Sequence, residues 1–297
     1  MNDNSGKYIV LDGIVRDSSE AISVDASSGR TAYEVLRVIR GVPLFFEDHF
    51  ERMIGTIATI GMSSAIKDGG STDGKGIITA GQLKENIMKL LAANEADYCN
   101  VKIIISETDG RLGQMLYISK SHYPSKEEAD TGVKTGLLQI ERHNPNAKLI
   151  NQAYIDAVAA KKKEDDYFEL ILVDNNDRIT EGSKSNAFFV RDGSIFTAPG
   201  EFVLKGITRK YVFEACRRAG YTVIEQFVSA EDLPEVEAAF LSGTSIKVLP
   251  INKIDRLVLN SSDNLAIAAV RLEYDKLIEK YIDENGKQWK YYTAAVL

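Results

Sequence analysis

The sequence has few of the residues that build metal centres or disulfide frameworks. Among its 297 residues there are two cysteines, Cys99 and Cys216, and three histidines. Because His49, His122 and His143 are far apart along the chain, a clustered zinc site is not expected. Two cysteines are too few for a disulfide framework. We therefore predict no metal site and a protein of the reducing cytoplasm.

Two further absences argue against membrane and nucleic-acid functions. No apolar run approaches the roughly 20 residues needed to cross a bilayer, and the N-terminal MNDNSGKYIVLDG lacks the apolar core of a signal peptide. The net charge of −7 and the isoelectric point near 5.2 are unsuited to a phosphate backbone, which calls for a basic face. With 44% hydrophobic and 27% charged residues, the composition is that of a globular protein with ample core.

The first 120 residues read as strands followed by helices. Strand-like runs cover 8–11, 32–39 and 42–46, and Asp48 is the predicted N-cap of the helix that follows them. A second helix is predicted over 79–92, before two more strands.

A change in composition divides the chain. Residues 121–132 are rich in Ser, Pro, Lys and Glu without periodicity, which predicts a linker between an N-terminal domain, 1–120, and a C-terminal domain, 133–297. Strands and helices in mixed order, with several hairpins, indicate an α+β fold rather than a doubly wound sheet.

Two reactive side chains stand in segments of small polar residues. Lys148 lies between a Pro/Asn-rich turn and a predicted helix, and Glu181 is the one carboxylate of a Gly/Ser/Asn loop at a strand end. Either could have an ordinary explanation, as a surface lysine or as a solvated acid in a hairpin.

Three other segments are suited to an anion. The Gly-Ile-Thr at 206–208 opens a helix, where free N–H groups and the helix dipole favour negative charge. The Ser-Gly-Thr-Ser at 242–245 is a hydroxyl-rich turn after a strand, and Arg52 offers a fork of donors matched to phosphate. One lysine, one carboxylate and several anion-binding turns are the parts that pyridoxal phosphate requires.

Five linked motifs identify a family. The segments AYEVLRVIRGVPLFFEDHFERM, AKLINQAYIDAV, ELILVDNNDRITEGSKSNAFFV, VLKGITRKYVFE and AAFLSGTSIKVLPI, within 29–255, resemble in content and order the fold-type IV pyridoxal-phosphate enzymes. This family includes branched-chain and D-amino-acid aminotransferases and aminodeoxychorismate lyase. The resemblance implies a smaller N-terminal α/β domain, a larger barrel-like C-terminal domain, a cofactor in the cleft between them, and a homodimer in which the partner helps to close the site.

The resemblance also implies roles for individual residues. Lys148 matches the lysine that forms the Schiff base and shuttles a proton, Glu181 the acid on the pyridine nitrogen, and Arg52 a phosphate-binding arginine. Further contacts with the cofactor are implied for Ser185, Asn186, Gly206, Ile207, Thr208, Thr244 and Ser245, and with the substrate for Tyr33, Arg37 and Thr244.

Several of these residues have a structural alternative. Arg52 could form an ion pair on a helix surface, and the turn at 244–245 could serve only its own stability. Tyr33 could be a core tyrosine, and Arg37 could be structural. His49 is expected to pack or to cap its helix.

The chain departs from its relatives near the substrate. Branched-chain enzymes have an Asn-Tyr pair after the lysine, where this chain has Asn151 and Gln152, and Tyr154 is displaced by two positions. The D-amino-acid enzymes have an Arg-x-His carboxylate trap, whereas Arg111 here is followed by no matching histidine. Lys184 stands where relatives have a small residue.

Three functions follow as hypotheses. The leading one is an aminotransferase that moves an amino group from an amino acid, branched-chain type favoured, to a 2-oxo acid in a ping-pong cycle. The second is an aminodeoxychorismate lyase that releases pyruvate with the same lysine and cofactor. The third is a non-catalytic interaction protein that has kept the fold.

Overall fold

The computed structural model describes residues 3–20, 30–62, 78–108, 111–142, 146–149 and 151–295. The chain divides into two compact units, of which the first comprises Met1–Ser121, Ala147–Ile150 and Glu279–Leu297 and the second His122–Asn146 and Asn151–Ile278. The first unit thus includes two segments that we expected in a C-terminal domain, and the domain boundaries themselves stay predictions.

The first unit is built on a six-stranded sheet in the order β2-β1-β6-β5-β3-β4, with every pair antiparallel. Helix α1 packs on β3, and α2 packs on β1 and β6. The elements are β1 (Tyr8–Leu11), β2 (Ile14–Asp17), β3 (Arg30–Ile39), β4 (Val42–Pro43), α1 (Phe46–Thr59), α2 (Ala80–Ala93), β5 (Tyr98–Thr108) and β6 (Arg111–Ile118).

Strand β3 shows the alternation that a sheet with one buried face requires. Ala32, Leu36 and Val38 are buried, while Tyr33 and Arg37 on the other face are only half-buried. The register is fixed by ten consecutive pairs with β5, so each side chain of β3 has a defined face.

Helix α1 begins two residues before the predicted cap, so the prediction for Asp48 is wrong. The N-cap is Phe45, with φ of 52° and no side-chain hydrogen bond. Instead, the Phe46 N–H donates to the hydroxyl of Tyr281 at 3.0 Å, and that hydroxyl donates to Glu47 Oε2 at 2.7 Å. The first free N–H of the helix is therefore satisfied by a residue 235 positions away and not by a local N-cap side chain.

The second unit contains a nine-stranded mixed sheet in the order β12-β11-β10-β13-β14-β7-β8-β9, with β15 paired to β14. Contacts between β9 and β10, which are far apart in this order, show that the sheet curls. The elements are α3 (Lys126–Thr131), β7 (Val133–Gln139), α4 (Gln152–Lys162), β8 (Glu169–Val173), β9 (Ile179–Gly182), β10 (Asn186–Arg191), β11 (Ser194–Thr197), α5 (Ile207–Arg218), β12 (Val223–Glu225), β13 (Ala238–Gly243), β14 (Lys247–Ile254) and β15 (Leu257–Val258). The last helix, α6 (Leu265–Ala295), begins in the second unit, and its residues from Glu279 onward belong to the first.

One antiparallel and one mixed sheet, both with helices, confirm the predicted α+β class. The segment expected to be a linker contains α3, whose capping box joins Ser125 and Glu128. Within the described ranges, no helix has the length and apolar character that crossing a membrane requires.

Gly136 in β7 is required by a close approach, which predicts a stability effect. A Cβ at this position would lie 2.6 Å from the ring of Tyr167, whose hydroxyl donates to Asp255 at 2.8 Å. Because that hydrogen bond holds the ring in place, Gly136→Ala is expected to destabilise the protein by about 1–3 kcal/mol, measured by thermal or urea denaturation.

A matched variant tests the cause. An added Cβ at Gly55, an exposed position of helix α1, meets nothing within 4 Å. Gly55→Ala should therefore stabilise the protein by about 0.5–1 kcal/mol through its helix propensity. A loss of stability of the same size in both variants would contradict the steric argument.

Candidate active site

The predicted cofactor lysine lies beside strand β3. The short segment 147–149 joins the edge of β3, since Ala32 and Leu149 form a bridge and the Tyr33 N–H donates to the Lys148 carbonyl at 3.3 Å. Lys148 Nζ lies 5.0 Å from the ring centroid of Tyr33, within cation–π range. The structure thus brings together a predicted catalytic residue and a predicted substrate-binding residue.

The side chain of Arg52, on α1, does not lie on the solvent-exposed face of the helix. It is mostly buried and forms two hydrogen bonds with the carboxylate of Glu34, from Nε to Oε2 at 3.0 Å and from Nη2 to Oε1 at 2.5 Å. His49, also buried, has its Nδ1 3.4 Å from Glu34 Oε1 in a geometry that makes no hydrogen bond.

Charge and burial act in opposite directions in this cluster. Burial opposes ionisation of Glu34, but the charge of Arg52, with His49 beside it, more than offsets that effect and lowers the pKa of Glu34 far below its usual range. Burial lowers the pKa of His49, and the nearby charges of Arg52 and Lys148 add to this, while Glu34 opposes it. The cluster therefore holds an ionised carboxylate, a guanidinium and, at neutral pH, an uncharged imidazole.

Glu181, at the end of β9, is buried with an exposed fraction of 2%. Its Oε1 accepts from Arg142 Nη1 at 2.6 Å, and its Oε2 accepts from the Leu204 N–H at 3.0 Å and from Asn186 Nδ2 at 3.5 Å. This burial excludes the solvated hairpin acid that was the alternative. Both carboxylate oxygens are oriented by donors from different parts of the second unit.

Asn186 joins the acid to the start of α5. Its amide also donates to the Leu204 carbonyl at 2.9 Å, and a Cβ on Gly206 would lie 2.3 Å from its Oδ1. Gly206 is the N-cap of α5, and as a glycine it provides no side-chain cap. The Gly206 N–H already donates to the Leu204 carbonyl at 2.7 Å, so the N–H groups of Ile207 and Thr208 open the helix in the manner of an anion site.

A second pair of strands brings hydroxyls to the same region. Asn186 pairs with Ser242 across β10 and β13, and the turn after β13 contains Thr244 and Ser245, both half-buried. The hydroxyls of Ser185 and Ser242 are buried without a hydrogen-bond partner among the described residues. Buried polar atoms are almost always satisfied, so these two point to a polar group that the described residues do not supply.

Each unit, taken by itself, has groups that suit a part of pyridoxal phosphate. The second unit has the buried carboxylate of Glu181 for the ring nitrogen and the start of α5 for the phosphate. It also has two buried hydroxyls, of Ser185 and Ser242, that lack a hydrogen-bond partner among the described residues. The first unit has Lys148 for the aldehyde and Arg52, which Glu34 holds by two hydrogen bonds. Within the described ranges, no group of three His, Cys, Asp or Glu side chains is arranged to hold a metal ion.

The remaining predicted residues are placed as follows. Arg37 Nη1 donates to Asn100 Oδ1 at 3.5 Å, a contact that fits the structural alternative. Tyr154 donates its hydroxyl to the Ser183 carbonyl at 2.8 Å, and its ring lies 5.8 Å from the guanidinium carbon of Arg142. Lys184 is exposed, and nothing in the structure explains it.

Sequence reasoning missed Glu34, Arg142 and Ser242. Glu34 had a detectable signal, because the alternation of AYEVLRV places it among the buried positions of β3. No such signal marks Arg142, which follows β7 by three residues and is 39 residues from its partner Glu181. Ser242 was quoted only as part of a turn, although it belongs to the buried end of β13.

Comparisons of sequence and structure identify known proteins that are similar to this chain. A D-alanine aminotransferase of Bacillus licheniformis is 22% identical over 281 residues, covering 85% of this chain and 90% of that protein. An aminodeoxychorismate lyase of Bacillus subtilis is 23% identical over 277 residues, covering 88% and 90%. The crystal structure of a branched-chain aminotransferase from Thermoproteus uzoniensis superposes with a TM-score of 0.78 at 21% identity, covering 94% and 98%.

The structural likeness confirms the predicted fold-type IV architecture. The sequence model of the family described as Amino-transferase class IV matches residues 31–254. Since this match spans most of the 297-residue chain, the chain belongs to the class IV aminotransferases, a family of enzymes that use pyridoxal 5′-phosphate.

Proposed function

We propose that the chain transfers the amino group of a branched-chain amino acid to a 2-oxo acid in a ping-pong cycle. The observation that carries the proposal is the buried carboxylate of Glu181, oriented on both oxygens beside the uncapped start of α5. The absence of an Arg-x-His trap favours branched-chain over D-amino acids, and the likeness to a branched-chain aminotransferase supports the same choice.

Two residues of the chain would handle protons. Pyridoxal phosphate, when bound, supplies an aldehyde for the amino group and a ring that takes up the charge left at the substrate Cα. Lys148 Nζ would remove the proton from the substrate Cα and return it at the cofactor C4′. Glu181 would hold a proton at the pyridine nitrogen, and its contacts with Arg142 and Leu204 keep it in place.

Other residues would bind and orient. The N–H groups of Ile207 and Thr208 and the guanidinium of Arg52 would bind the phosphate. The Tyr33 ring, 5.0 Å from Lys148 Nζ, stabilises the charged amine by a cation–π contact and limits its directions. Ser185, Asn186, Thr244 and Ser245 would complete the polar lining, and Tyr33, Arg37 and Thr244 would contact the substrate.

The assembly and setting of the enzyme are part of this proposal. We expect a homodimer, which light scattering on the purified protein would test, and small-molecule amino and 2-oxo acids as the other partners. Cys99 and Cys216 are free and buried, which is compatible with work in a reducing cytoplasm.

The first prediction from this function concerns amino donors. Adding L-Leu, L-Ile or L-Val to the cofactor-loaded protein should abolish the visible absorption band of the bound cofactor, and a 2-oxo acid should restore it. Lys148→Ala should not respond in this way, because it lacks the amine that moves the proton.

Other responses would change the assignment. A response to D-Ala alone would overturn the branched-chain preference. Release of pyruvate from aminodeoxychorismate without an oxo-acid acceptor, with no response to amino acids, would make the protein a lyase. A protein that takes up no cofactor would contradict every enzymatic hypothesis.

A second prediction concerns Glu181. Glu181→Gln keeps the shape of the side chain but cannot hold the proton at the ring nitrogen, so turnover should fall about 100-fold while the cofactor stays bound. Steady-state kinetics and absorption spectra measure the two effects. Glu214→Gln, on α5 in contact with Arg217 and Arg218, is the control and should keep normal turnover. Unchanged turnover in Glu181→Gln would remove the acid from the mechanism.

A further inference from the structure

The cluster of Glu34, His49 and Arg52 contains more than a phosphate-binding arginine needs. Glu34 is a carboxylate on the core-facing side of β3, where its neighbours Ala32, Leu36 and Val38 are apolar, and its exposed fraction is 1%. Burying a charge is costly unless it is paired. Glu34 therefore needs a partner, and α1 supplies that partner in Arg52.

The contact fixes how the arginine is oriented. A guanidinium has two edges that can each donate two parallel hydrogen bonds, and Glu34 occupies the Nε/Nη2 edge of Arg52. Because this contact is bidentate, it fixes the plane and the direction of the guanidinium relative to β3. His49, uncharged and buried three residues before Arg52 on α1, lies against the same carboxylate.

We propose that Glu34 is a positioning residue that holds Arg52 in the orientation required to bind the cofactor phosphate. This inference rests on the role of Arg52 in the proposed function. Without Glu34, the long arginine side chain would have to be ordered when the phosphate binds, which weakens binding by the entropy of that ordering.

A purely electrostatic view predicts the opposite effect. The negative charge of Glu34 offsets part of the charge of Arg52, so its removal would make the site more positive and strengthen phosphate binding. Orientation and charge therefore predict changes of opposite sign for the same substitution, which makes the proposal testable by direction as well as by size.

The experiment compares pyridoxal phosphate with pyridoxal, which has the same ring and aldehyde but no phosphate. Dissociation constants are measured by absorption titration of cofactor-free protein for the wild type, Glu34→Gln, Arg52→Ala and the double variant. Glu107→Gln serves as the matched control, because Glu107 lies on the neighbouring strand β5 and pairs with Arg30 at 3.7 Å.

Glu34→Gln is expected to weaken binding of pyridoxal phosphate about tenfold or more and to change binding of pyridoxal less than about twofold. In the Arg52→Ala background the same substitution should cause no further loss of phosphate selectivity, since Glu34 acts through Arg52. The Glu107→Gln control should match the wild type.

Three results would overturn the proposal. Glu34→Gln could bind pyridoxal phosphate as tightly as the wild type or more tightly, it could lose affinity for both compounds equally, or it could lose as much in the Arg52→Ala background. If instead Arg52→Ala itself leaves phosphate selectivity unchanged, the role of Arg52 fails, and the positioning role fails with it, while the transamination assay above still stands.

A second variant tests the proposal if Glu34→Gln does not fold. Arg52→Lys keeps a positive charge beside the buried carboxylate but cannot form the bidentate contact. It should lose phosphate selectivity about tenfold, with its folding checked by circular dichroism. Full selectivity in folded Arg52→Lys would show that the orientation of the fork is unimportant and would contradict the proposal.

Discussion

A buried carboxylate must be paired, and this constraint applies in each of the two units. Glu34 is paired with Arg52 and Glu181 with Arg142, and each acid is almost fully inaccessible. Removing one partner of such a pair leaves an uncompensated charge, at a cost of about 3–5 kcal/mol. The elements that carry the arginines are therefore held at defined positions: α1 against β3, and the segment after β7 against β9.

The register of β3 connects this constraint to the site. Its buried face carries Glu34 to the arginine of α1, while its half-buried face presents Tyr33 to Lys148. Adjacent residues on one strand thus serve the predicted phosphate-binding residue and the predicted proton carrier. A slip of one residue against β5 would exchange the two faces and lose both contacts.

Much of this could be predicted from the sequence, and the rest could not for a physical reason. Lys148, Glu181 and the start of α5 were predicted because each lies in a local motif, and β1 and β3 follow from local apolar runs. The strand predicted over 42–46 ends at Pro43, because α1 already begins at Phe46. The predicted beginning of α1 was wrong because Tyr281, which is far along the chain, satisfies the first N–H of the helix. Arg142 was missed for the same reason, since its role exists only once β7 and β9 share a sheet.

The early start of α1 also requires a strained residue, and packing makes that strain tolerable. Phe45 adopts a left-handed conformation that turns the chain from β4 into α1, so that His49 and Arg52 face Glu34. Such a conformation costs a residue with a side chain about 1–3 kcal/mol. Burying a phenylalanine contributes about 1.5–3 kcal/mol, and the Phe45 ring is buried edge-on against Tyr281 with centroids 5.0 Å apart. Because the two terms are of similar size, Arg52 is held in position at little net cost to the fold.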